Sequence, residues 1–500
     1  MSYTRSAPST VSMALAEDRL GVPSVIFFVM SAATPLTVVA GVVTTGFAVT
    51  GLIGIPLAFI VIGVVLALFS VGYVAMARHV VNAGAFYAYI SQGLGRPLGV
   101  GCSWIALVAY NSLQVGLYGF IGAATQPLLA QWFHVDVKWW VVALVAWAIV
   151  AALGLQQVDV NGKILAVLLV TEVAVIVIFS LADLGNPAGG SVSFDTLSPG
   201  NLFGSGTGAL LAIAVLGFVG FESSVVFSEE ARDRQRTVPI ATYLSVALIA
   251  VLYAFASWAM SVATGPDKVV EASQNNADGQ LVFNLAGQQI GGWIVDVGHV
   301  LLVTSILAAM ISFHNTTARY AFALGRERVL PASLGRTSHR TGSPMMGSII
   351  QSIVGFVVII IYAIGGWDPV VRLFFWGGTS GGIGVLLLIF ITSLAVIVFF
   401  ARNQVDETPW RRTVAPVLAT ACLAVVLFLA LKNFRTLLGP DAPDALVWGA
   451  PIVYAIVGLL GIGWGLTLRS TRPDIYDTIG LGARSATVLR GSHESGMSAR

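Results

Sequence analysis

The sequence predicts an all-α polytopic membrane protein that crosses the bilayer twelve times. The chain has 500 residues, of which 56% are hydrophobic and only 10% are charged, and its mean hydropathy is +0.86. A water-soluble domain carries about 25% charged residues. Apolar runs long enough to span a bilayer recur along the chain, and lysine and arginine are concentrated in alternate connections. Together these observations exclude a soluble globular domain.

Twelve apolar runs have the length of a transmembrane helix, about 20 residues. They lie near residues 22–48, 52–77, 97–126, 137–156, 161–183, 206–228, 238–264, 292–325, 345–366, 373–400, 412–434 and 446–468. Basic residues accumulate in the cytoplasmic connections of membrane proteins. With both chain ends in the cytoplasm, the inner connections hold all 26 lysines and arginines except Lys138, Lys268, Arg372, Lys432 and Arg435. We therefore expect cytoplasmic N- and C-termini.

The stretch Ala214–Pro239 organises the rest of the chain. It begins as an apolar span but contains Gly217 and Gly220, and then the lone carboxylate of Glu222, seven residues before Glu229. Seven helical residues cover about 10 Å, so Glu222 lies inside a hydrocarbon layer about 30 Å thick. A charge there costs about 2.5–3.5 kcal/mol and needs a partner, a proton or a water-lined cavity. A helix interrupted by glycine beside such an acid indicates a binding site.

The first span contains a second irregularity. Between Ser31 and Val43, Pro35 and Gly41 stand at mid-membrane among small hydroxylated residues, and proline removes a backbone donor and clashes with the preceding turn. Spans 1 and 6 run in opposite directions, and each begins a set of five. Matching interruptions in two such halves are typical of inverted-repeat transporters, whose site lies at the midplane between the breaks. Alternatively, the proline and the glycines only kink the helices or allow close packing.

The fifth span carries another buried acid. Glu172 follows Lys163 by nine residues in an aliphatic run, which places it about 13 Å along the helix. Because burial disfavours the charged form of a carboxyl, Glu172 and Glu222 form a candidate pair for proton coupling, with one acid in each half of the chain. The alternative for Glu172 is a fixed salt bridge or a permanently protonated contact between helices.

Two patterns concern the lining of a cavity. The eighth span carries a stripe of small and polar residues at helical spacing, which we expect to face the bundle. Its members are Ser305, Ala308, Ser312, Thr316 and Arg319. Tyr110 in the third span and Trp376, in the glycine-rich and aromatic start of the tenth span, are candidate gate residues.

Enzymatic and metal-binding motifs do not fit this sequence. Gly-Thr-Ser-Gly-Gly at 378–382 formally matches the hydrolase elbow, but the required strand–turn–helix context is not predicted. Cys102 and Cys422 lie in apolar segments, so neither a disulfide framework nor a thiolate metal site is expected. The net charge of +2, without a basic run interleaved with aromatics, argues against a nucleic-acid partner. We expect no cofactor and no metal.

Three segments resemble signatures of the amino acid–polyamine–organocation (APC) superfamily of secondary transporters. They are NAGAFYAYISQGLGRPLG after the second span, GFVGFESSVVFSEEARDRQRTVPIAT from the sixth span into the seventh, and RYAFALGRERVLPASLGRTSHRTGSP after the eighth. The resemblance implies a five-plus-five inverted repeat, the leucine-transporter-like fold, with discontinuous helices 1 and 6, two extra C-terminal helices and alternating access.

The resemblance also divides the chain into segments. These are a cytoplasmic N-terminus (1–20), a first five-helix repeat (21–185), an extracellular connection (186–205), a second repeat (206–402), helices 11 and 12 (403–469) and a cytoplasmic tail (470–500). The tail is polar and rich in Ser, Gly and Arg, a composition that favours disorder.

In such carriers, free backbone N–H groups at the break of helix 1 hold the substrate carboxylate, and carbonyl groups around both breaks hold its ammonium. By position, the first group comprises Ala33, Thr34, Leu36, Thr37 and Val38, and the second Phe218, Val219, Gly220 and Phe221. Broken helix ends expose unpaired donors and the positive end of a dipole to an anion. Several proton-coupled members have a lysine near the position of Glu172, so a proton, sodium and the absence of a coupling ion all stay open.

We expect a plasma-membrane permease, not an enzyme, that moves an amino acid or a related amine through the lipid bilayer by alternating access, as a proton symporter. One alternative is exchange of an amino acid for an amine. Another is a nutrient sensor on a transporter scaffold, which long regulatory tails would favour. The sequence leaves the identity of the substrate and the oligomeric state open.

Overall fold

A computed structural model describes residue 15 and residues 17–276, 279–403, 405–439 and 442–485. Most of the predicted N-terminal segment 1–20, and residues 486–500 of the predicted tail, lie outside the described residues. Within the described ranges the regular elements are helices, and an isolated β-bridge joins Leu20 to Ala231.

Twelve helical segments within the described ranges correspond to the twelve predicted spans. They are α1 (Val22–Thr50), α2 (Ile55–Ala77), α3 (Arg96–Phe133), α4 (Trp139–Gly154), α5 (Val158–Gly185), α6 (Thr207–Val225), α7 (Arg234–Thr264), α8 (Gly292–Arg326), α9 (Met345–Gly365), α10 (Pro369–Arg402), α11 (Trp410–Lys432) and α12 (Asp444–Thr471). Eleven of them are long and apolar enough to cross a membrane. The shorter α4 has 16 residues, and its sequence is rich in apolar side chains. The all-helical, multi-pass architecture predicted from the sequence is therefore present.

Shorter helices lie in the connections. The short α-helices are Phe86–Gly93 between α2 and α3, Val269–Asn275 and Leu281–Gln289 between α7 and α8, Phe434–Leu438 between α11 and α12, and Pro473–Thr478 after α12. None of these short helices was predicted, because each is shorter than a membrane span.

The helix α1 is interrupted near its middle. Its first half ends at Ala32, and Thr34 adopts the left-handed conformation with φ 45° before the helix resumes at Pro35. Proline suits the first position of a helix because it has no N–H to leave unpaired. The chain then continues through a π-helical turn, Val38–Val43, into a second α-helical part.

The helix α6 is interrupted in a similar place. An α-helical part ends at Phe218, Val219 has ψ 128°, and Gly220 has φ 114° before a 3-10 turn begins at Phe221. Glycine is required at this position on two grounds. Its φ is disfavoured for other residues, and a Cβ atom at Gly220 would lie 2.5 Å from the Cβ of Ala32. The breaks of α1 and α6 therefore touch each other.

Charged residues close one end of the bundle, which we call the basic face and define by Arg78, Arg234, Arg326 and Arg402. After α6, the Glu230 carboxylate accepts hydrogen bonds from Nε and Nη2 of Arg319 at 2.6 and 2.9 Å. The backbone N–H of Leu20 donates to the Glu230 carbonyl at 3.0 Å. These contacts tie the segment after α6 to α8 and to the start of α1.

A second buried ion pair stands beside the first. The Glu229 carboxylate accepts hydrogen bonds from both terminal nitrogens of Arg326, each at 2.6 Å, and from the Ala83 N–H at 2.9 Å. Burial on its own would raise the pKa of Glu229, but the Arg326 guanidinium and the Ala83 N–H outweigh it, so this pKa lies below the ordinary value of 4.5. The carboxylate is therefore stably charged at neutral pH.

The chain after α12 departs from the predicted disordered tail. The sequence predicts irregular chain from residue 470 onwards. The described chain instead forms the helix Pro473–Thr478, and the segment that follows this helix is held against the basic face. The fully buried Glu327 carboxylate accepts hydrogen bonds from the N–H groups of Gly480 and Gly482 at 2.6 and 2.7 Å, and from Asn82 and Tyr87 at 2.7 and 2.6 Å. Although its composition is typical of disordered chain, the segment with Gly480 and Gly482 forms a defined loop around the buried Glu327.

Candidate functional site

A cavity of about 140 Å³ borders the two helix breaks. Its wall is formed by residues of α1, α3, α6, α8 and α10, together with Thr436 and Leu437 after α11. It extends from Ala32 at the break of α1 along that helix to Val49, away from the basic face. The cavity therefore lies on the side of the helix breaks that points away from the basic face.

Five of the nine predicted substrate-binding residues line this cavity. They are Ala33, Thr34, Thr37, Val38 and Val219. The other four are not on its wall. Leu36 and Gly220 present their backbone N–H groups to buried carboxylates, whereas Phe218 and Phe221 pack against Phe59 and Phe69 at ring-centroid distances of 6.3 and 6.0 Å. Residues next to each break thus divide between the cavity and the protein core.

Glu172 of α5 is placed at the break of α1. Its Oε1 accepts hydrogen bonds from the Leu36 N–H at 2.5 Å and from the Ser305 hydroxyl of α8 at 2.7 Å. The Ser305 hydroxyl is also 3.5 Å from the Thr37 hydroxyl, and Thr37 lines the cavity. A short chain of hydroxyl groups therefore leads from the cavity wall to this buried acid.

The predicted stripe of α8 supports this arrangement. All five of its members are buried. Ser305 contacts Glu172, Ser312 donates to the Phe28 carbonyl of α1 at 2.7 Å, and Arg319 pairs with Glu230. The stripe faces the bundle because small and polar side chains let α8 approach α1 closely and satisfy its exposed polar groups.

Glu222 occupies the corresponding position at the break of α6. Its Oε2 accepts a hydrogen bond from the Gly220 N–H at 2.9 Å, and its Oε1 accepts one from the Tyr110 hydroxyl of α3 at 2.7 Å. Its own backbone carbonyl accepts from the Tyr73 hydroxyl at 2.9 Å. In each interrupted helix, a carboxylate therefore satisfies a backbone donor that the break leaves unpaired.

Neither acid forms an ion pair with any residue that the structure describes. Glu172 and Glu222 are each 1% exposed. A buried carboxyl without a cationic partner can exchange a proton when its surroundings change. The alternative of a fixed salt bridge for Glu172 is thus not supported by its described neighbours, while a permanently protonated contact stays open.

The two candidate gate residues differ in their positions. The Tyr110 ring lies 6.3 Å from the Phe313 ring and 5.5 Å from the Tyr320 ring, and its hydroxyl contacts Glu222. Tyr110 is thus behind the cavity wall rather than on it. Trp376 does not line the cavity either, and the Arg372 guanidinium lies 5.9 Å from its ring.

Aromatic residues that the sequence analysis did not select do line the cavity. They are Phe313, Phe374 and Phe375. The Phe374 ring stacks on Phe120 of α3 with centroids 4.1 Å apart. The sequence feature that could have identified Phe374 and Phe375 is the aromatic run Phe374–Trp376, in which these two of the three consecutive aromatic residues lie on the cavity wall.

Comparison with known proteins identifies the family. The profile of the amino acid permease family matches residues 20–462. An uncharacterised transporter of Mycobacterium tuberculosis is 24% identical over 442 residues, which cover 87% of this chain and 89% of the relative. The methylthioribose transporter of Bacillus subtilis is 24% identical over 79% of this chain and 83% of its own length.

The low-affinity putrescine importer of Escherichia coli is also 24% identical, over 61% of this chain and 67% of its own length. The family profile extends from the segment before α1 into α12 and so includes both helix breaks, both buried acids and the cavity. The chain is a multi-pass membrane protein that belongs to the amino acid permease family of the APC superfamily.

Proposed function

We propose that this permease is a secondary transporter that moves an amino acid or a related amine across the plasma membrane by alternating access, with the proton as its coupling ion. The observation that carries the proposal is the meeting of two helix breaks beside one cavity. Gly220 packs against Ala32, and Ala33 and Val219 both line the cavity. In this proposal, residues 21–185 and 206–402 form the two inverted five-helix repeats.

The substrate head group binds between the breaks in this proposal. Carbonyl groups next to Ala33 and Val219 attract an ammonium, because the ends of interrupted helices present acceptors without helical partners. The Ala33 carbonyl itself already accepts a hydrogen bond from the Tyr253 hydroxyl at 2.7 Å. The Leu36 N–H is already bonded to Glu172, so the hydroxyl groups of Thr34 and Thr37 are the available donors for a carboxylate on the same wall. Members of the family named for an amine, such as the putrescine importer, support a ligand with an ammonium group.

Glu172 and Glu222 are proposed as the proton-coupling residues. Each carboxylate holds a backbone N–H at one break, so gain or loss of a proton changes the hydrogen bonds at the substrate site itself. The Ser305 and Thr37 hydroxyl groups offer a route between Glu172 and the cavity. Proton binding and substrate binding are thereby linked through the geometry of the same helix ends.

The basic face is proposed to be cytoplasmic, with both chain termini on that side. The concentration of arginine there agrees with the positive-inside rule. In this arrangement the cavity faces outward, and the pairs Glu230–Arg319 and Glu229–Arg326 close the inner side. Release of substrate into the cell then requires these ion pairs to separate, so they act as the inner gate.

Reconstitution in liposomes tests the proposal. Purified protein should accumulate a radiolabelled amino acid or amine when the vesicle exterior is made acidic, and protein-free liposomes provide the control. Uptake into empty vesicles indicates symport, whereas uptake that requires preloaded substrate indicates exchange. Failure to move any amino acid or amine under every imposed ion gradient, and in counterflow, would refute the proposed function.

A further inference from the structure

We infer that the substrate has one ammonium-bearing head and an uncharged hydrocarbon body, so that this permease discriminates against diamines and dibasic amino acids. The inference rests on the proposed function, because it concerns the occupant of the same cavity. It is carried by the chemistry of the cavity wall beyond the helix breaks.

The wall beyond the breaks is apolar. Val42 and Val49 of α1, Leu113 and Leu117 of α3, and Ile213 and Leu216 of α6 contribute aliphatic side chains to it. The polar side chains on the wall are threonine hydroxyls, and no Asp, Glu, Lys, Arg or His is found among its described residues. A ligand that extends from the breaks along α1 therefore meets hydrocarbon.

The buried acids do not supply a charge at the far end of the cavity. Glu172 and Glu222 lie behind the wall, and each is bonded at a helix break to a backbone N–H and a side-chain hydroxyl. Both therefore act at the end of the ligand that carries the head group. A second ammonium, several methylene groups away, has no carboxylate partner among the described residues of the wall.

Desolvation then sets the preference. A buried charge without a partner is unfavourable by several kcal/mol, so a second ammonium should lower the apparent affinity at least about 100-fold. Each additional methylene that the wall covers should raise the apparent affinity about fourfold. The cavity thus binds a ligand more tightly when its hydrocarbon body is longer, and less tightly when that body ends in a charge.

This inference separates the chain from one of its relatives. The putrescine importer is named for a diamine, and it is 24% identical to this chain. Identity at this level leaves the side chains of a cavity wall free to differ between the two proteins. The wall of the present cavity fits the body of a monoamine or of an amino acid with an aliphatic or aromatic side chain.

Matched ligand pairs test the inference in reconstituted protein. Norleucine and lysine differ by one terminal amino group, as do pentan-1-amine and pentane-1,5-diamine. Norleucine and pentan-1-amine, which lack the terminal amino group, should each inhibit transport at about 100-fold lower concentration than lysine and pentane-1,5-diamine. They should also raise the melting temperature of the protein at about 100-fold lower concentration. Equal or better inhibition by lysine or pentane-1,5-diamine would overturn the inference and leave the proposed function intact. If all four ligands fail, and no other amine or amino acid is transported, the proposed function fails instead.

A pair of variants on the wall sharpens the test. Val42 lines the cavity in the π-helical turn that begins at Val38, on the part of the wall beyond the breaks. Val42→Asp should improve inhibition by lysine and pentane-1,5-diamine at least about tenfold, because it gives the second ammonium a partner. Val42→Asn, of the same shape but neutral, should not. Equal effects of the two variants would contradict a role for the missing wall charge. Because the ligand pairs are compared in the unaltered protein, poor folding of either variant does not remove the test.

Discussion

The Leu36 N–H, which the interruption of α1 leaves without a helical acceptor, donates to the Glu172 carboxylate 136 residues away in the sequence. A protein carboxylate thus stands where an interrupted helix would otherwise present a free donor to an anion. Glu222 performs the same task for Gly220 at the break of α6. Both interruptions are therefore stabilised by acids that are also able to bind protons.

The first prediction concerns Glu172. Glu172→Gln keeps an oxygen that accepts from Leu36 but removes the titrating group, so the variant should fold and exchange substrate while it loses accumulation driven by a pH gradient. Uptake and counterflow in liposomes measure the two activities. Thr171→Ala is the matched control, because it removes an exposed hydroxyl next to Glu172 in sequence that donates to the Val167 carbonyl within α5. Full pH-driven accumulation by Glu172→Gln would exclude Glu172 as the coupling residue.

The second prediction concerns Glu222. Glu222→Gln should reduce transport by at least about tenfold while unfolding changes little, because the amide retains the hydrogen-bonding shape of the side chain but no longer binds a proton. Tyr110→Phe removes only the hydroxyl that donates to Glu222 and should cost about 1–2 kcal/mol of stability. Transport assays with expression-matched protein and thermal unfolding distinguish the effects. Normal uptake by Glu222→Gln would refute the assignment.

The third prediction concerns the contact between the breaks. Gly220→Ala places a methyl group against Ala32 and forces alanine into a positive φ, which should lower the free energy of unfolding by about 2–4 kcal/mol and abolish transport. Gly41→Ala is the control, because a Cβ at Gly41 meets nothing within 4 Å. Thermal unfolding and uptake should separate the two variants. A fully active Gly220→Ala protein would mean that the breaks need not touch.

The fourth prediction concerns the pH dependence of the basic face. The pKa of Glu229 is lowered in the folded protein although burial opposes the shift, so folding favours the charged carboxylate. Its stabilising contribution is complete above the ordinary glutamate pKa of 4.5 and is lost as the pH falls through the folded-state pKa.

Glu229→Gln should therefore lower the free energy of unfolding by about 3–5 kcal/mol at pH 7, because it leaves Arg326 buried without its partner. The difference from the unaltered protein should shrink as the pH falls below that range. Thermal unfolding across pH measures it, and the exposed Glu271→Gln variant provides a baseline. A destabilisation that stays constant into acid would show that the ion pair is not responsible.

The fifth prediction concerns the docked segment after α12. In Gly482→Ala, the new Cβ would lie 2.5 Å from the Val81 carbonyl oxygen at a φ of +61°, so the loop should detach from Glu327. Hydrogen–deuterium exchange over residues 473–485 should increase. Gly463→Ala, whose Cβ meets nothing within 4 Å, should leave exchange unchanged. Unchanged protection in Gly482→Ala would contradict this docking geometry.

The sequence predicts the spans and the place of the interruptions well, because both depend on local properties. Hydropathy over about 20 residues identifies a span, and Pro35 and Gly220 mark the backbone positions that an ordinary helix cannot use. The contact between Glu172 and Leu36 is not local. It depends on how α5 packs on α1, which span periodicity alone does not specify.

Two other differences have physical causes. The sequence predicts Trp376 as a gate residue, yet Phe374 and Phe375 line the cavity, because the rotation of α10 about its axis is set by packing rather than by its composition. The composition of the segment with Gly480 and Gly482 predicts disordered chain. Glycine is common in flexible linkers and is equally required in tight loops with positive φ, and the buried partner Glu327 lies about 150 residues earlier in the sequence.

The attachment of Gly480 and Gly482 to Glu327 also bears on how the molecule is made. Glu327 is synthesised 153 residues before Gly480, and at about 5–20 residues per second the ribosome needs roughly 8–30 s to cover that distance. During this interval the acid has only its earlier partners, Asn82 and Tyr87. The hydrogen bonds around Glu327 are therefore completed only after Gly480 and Gly482 have been translated.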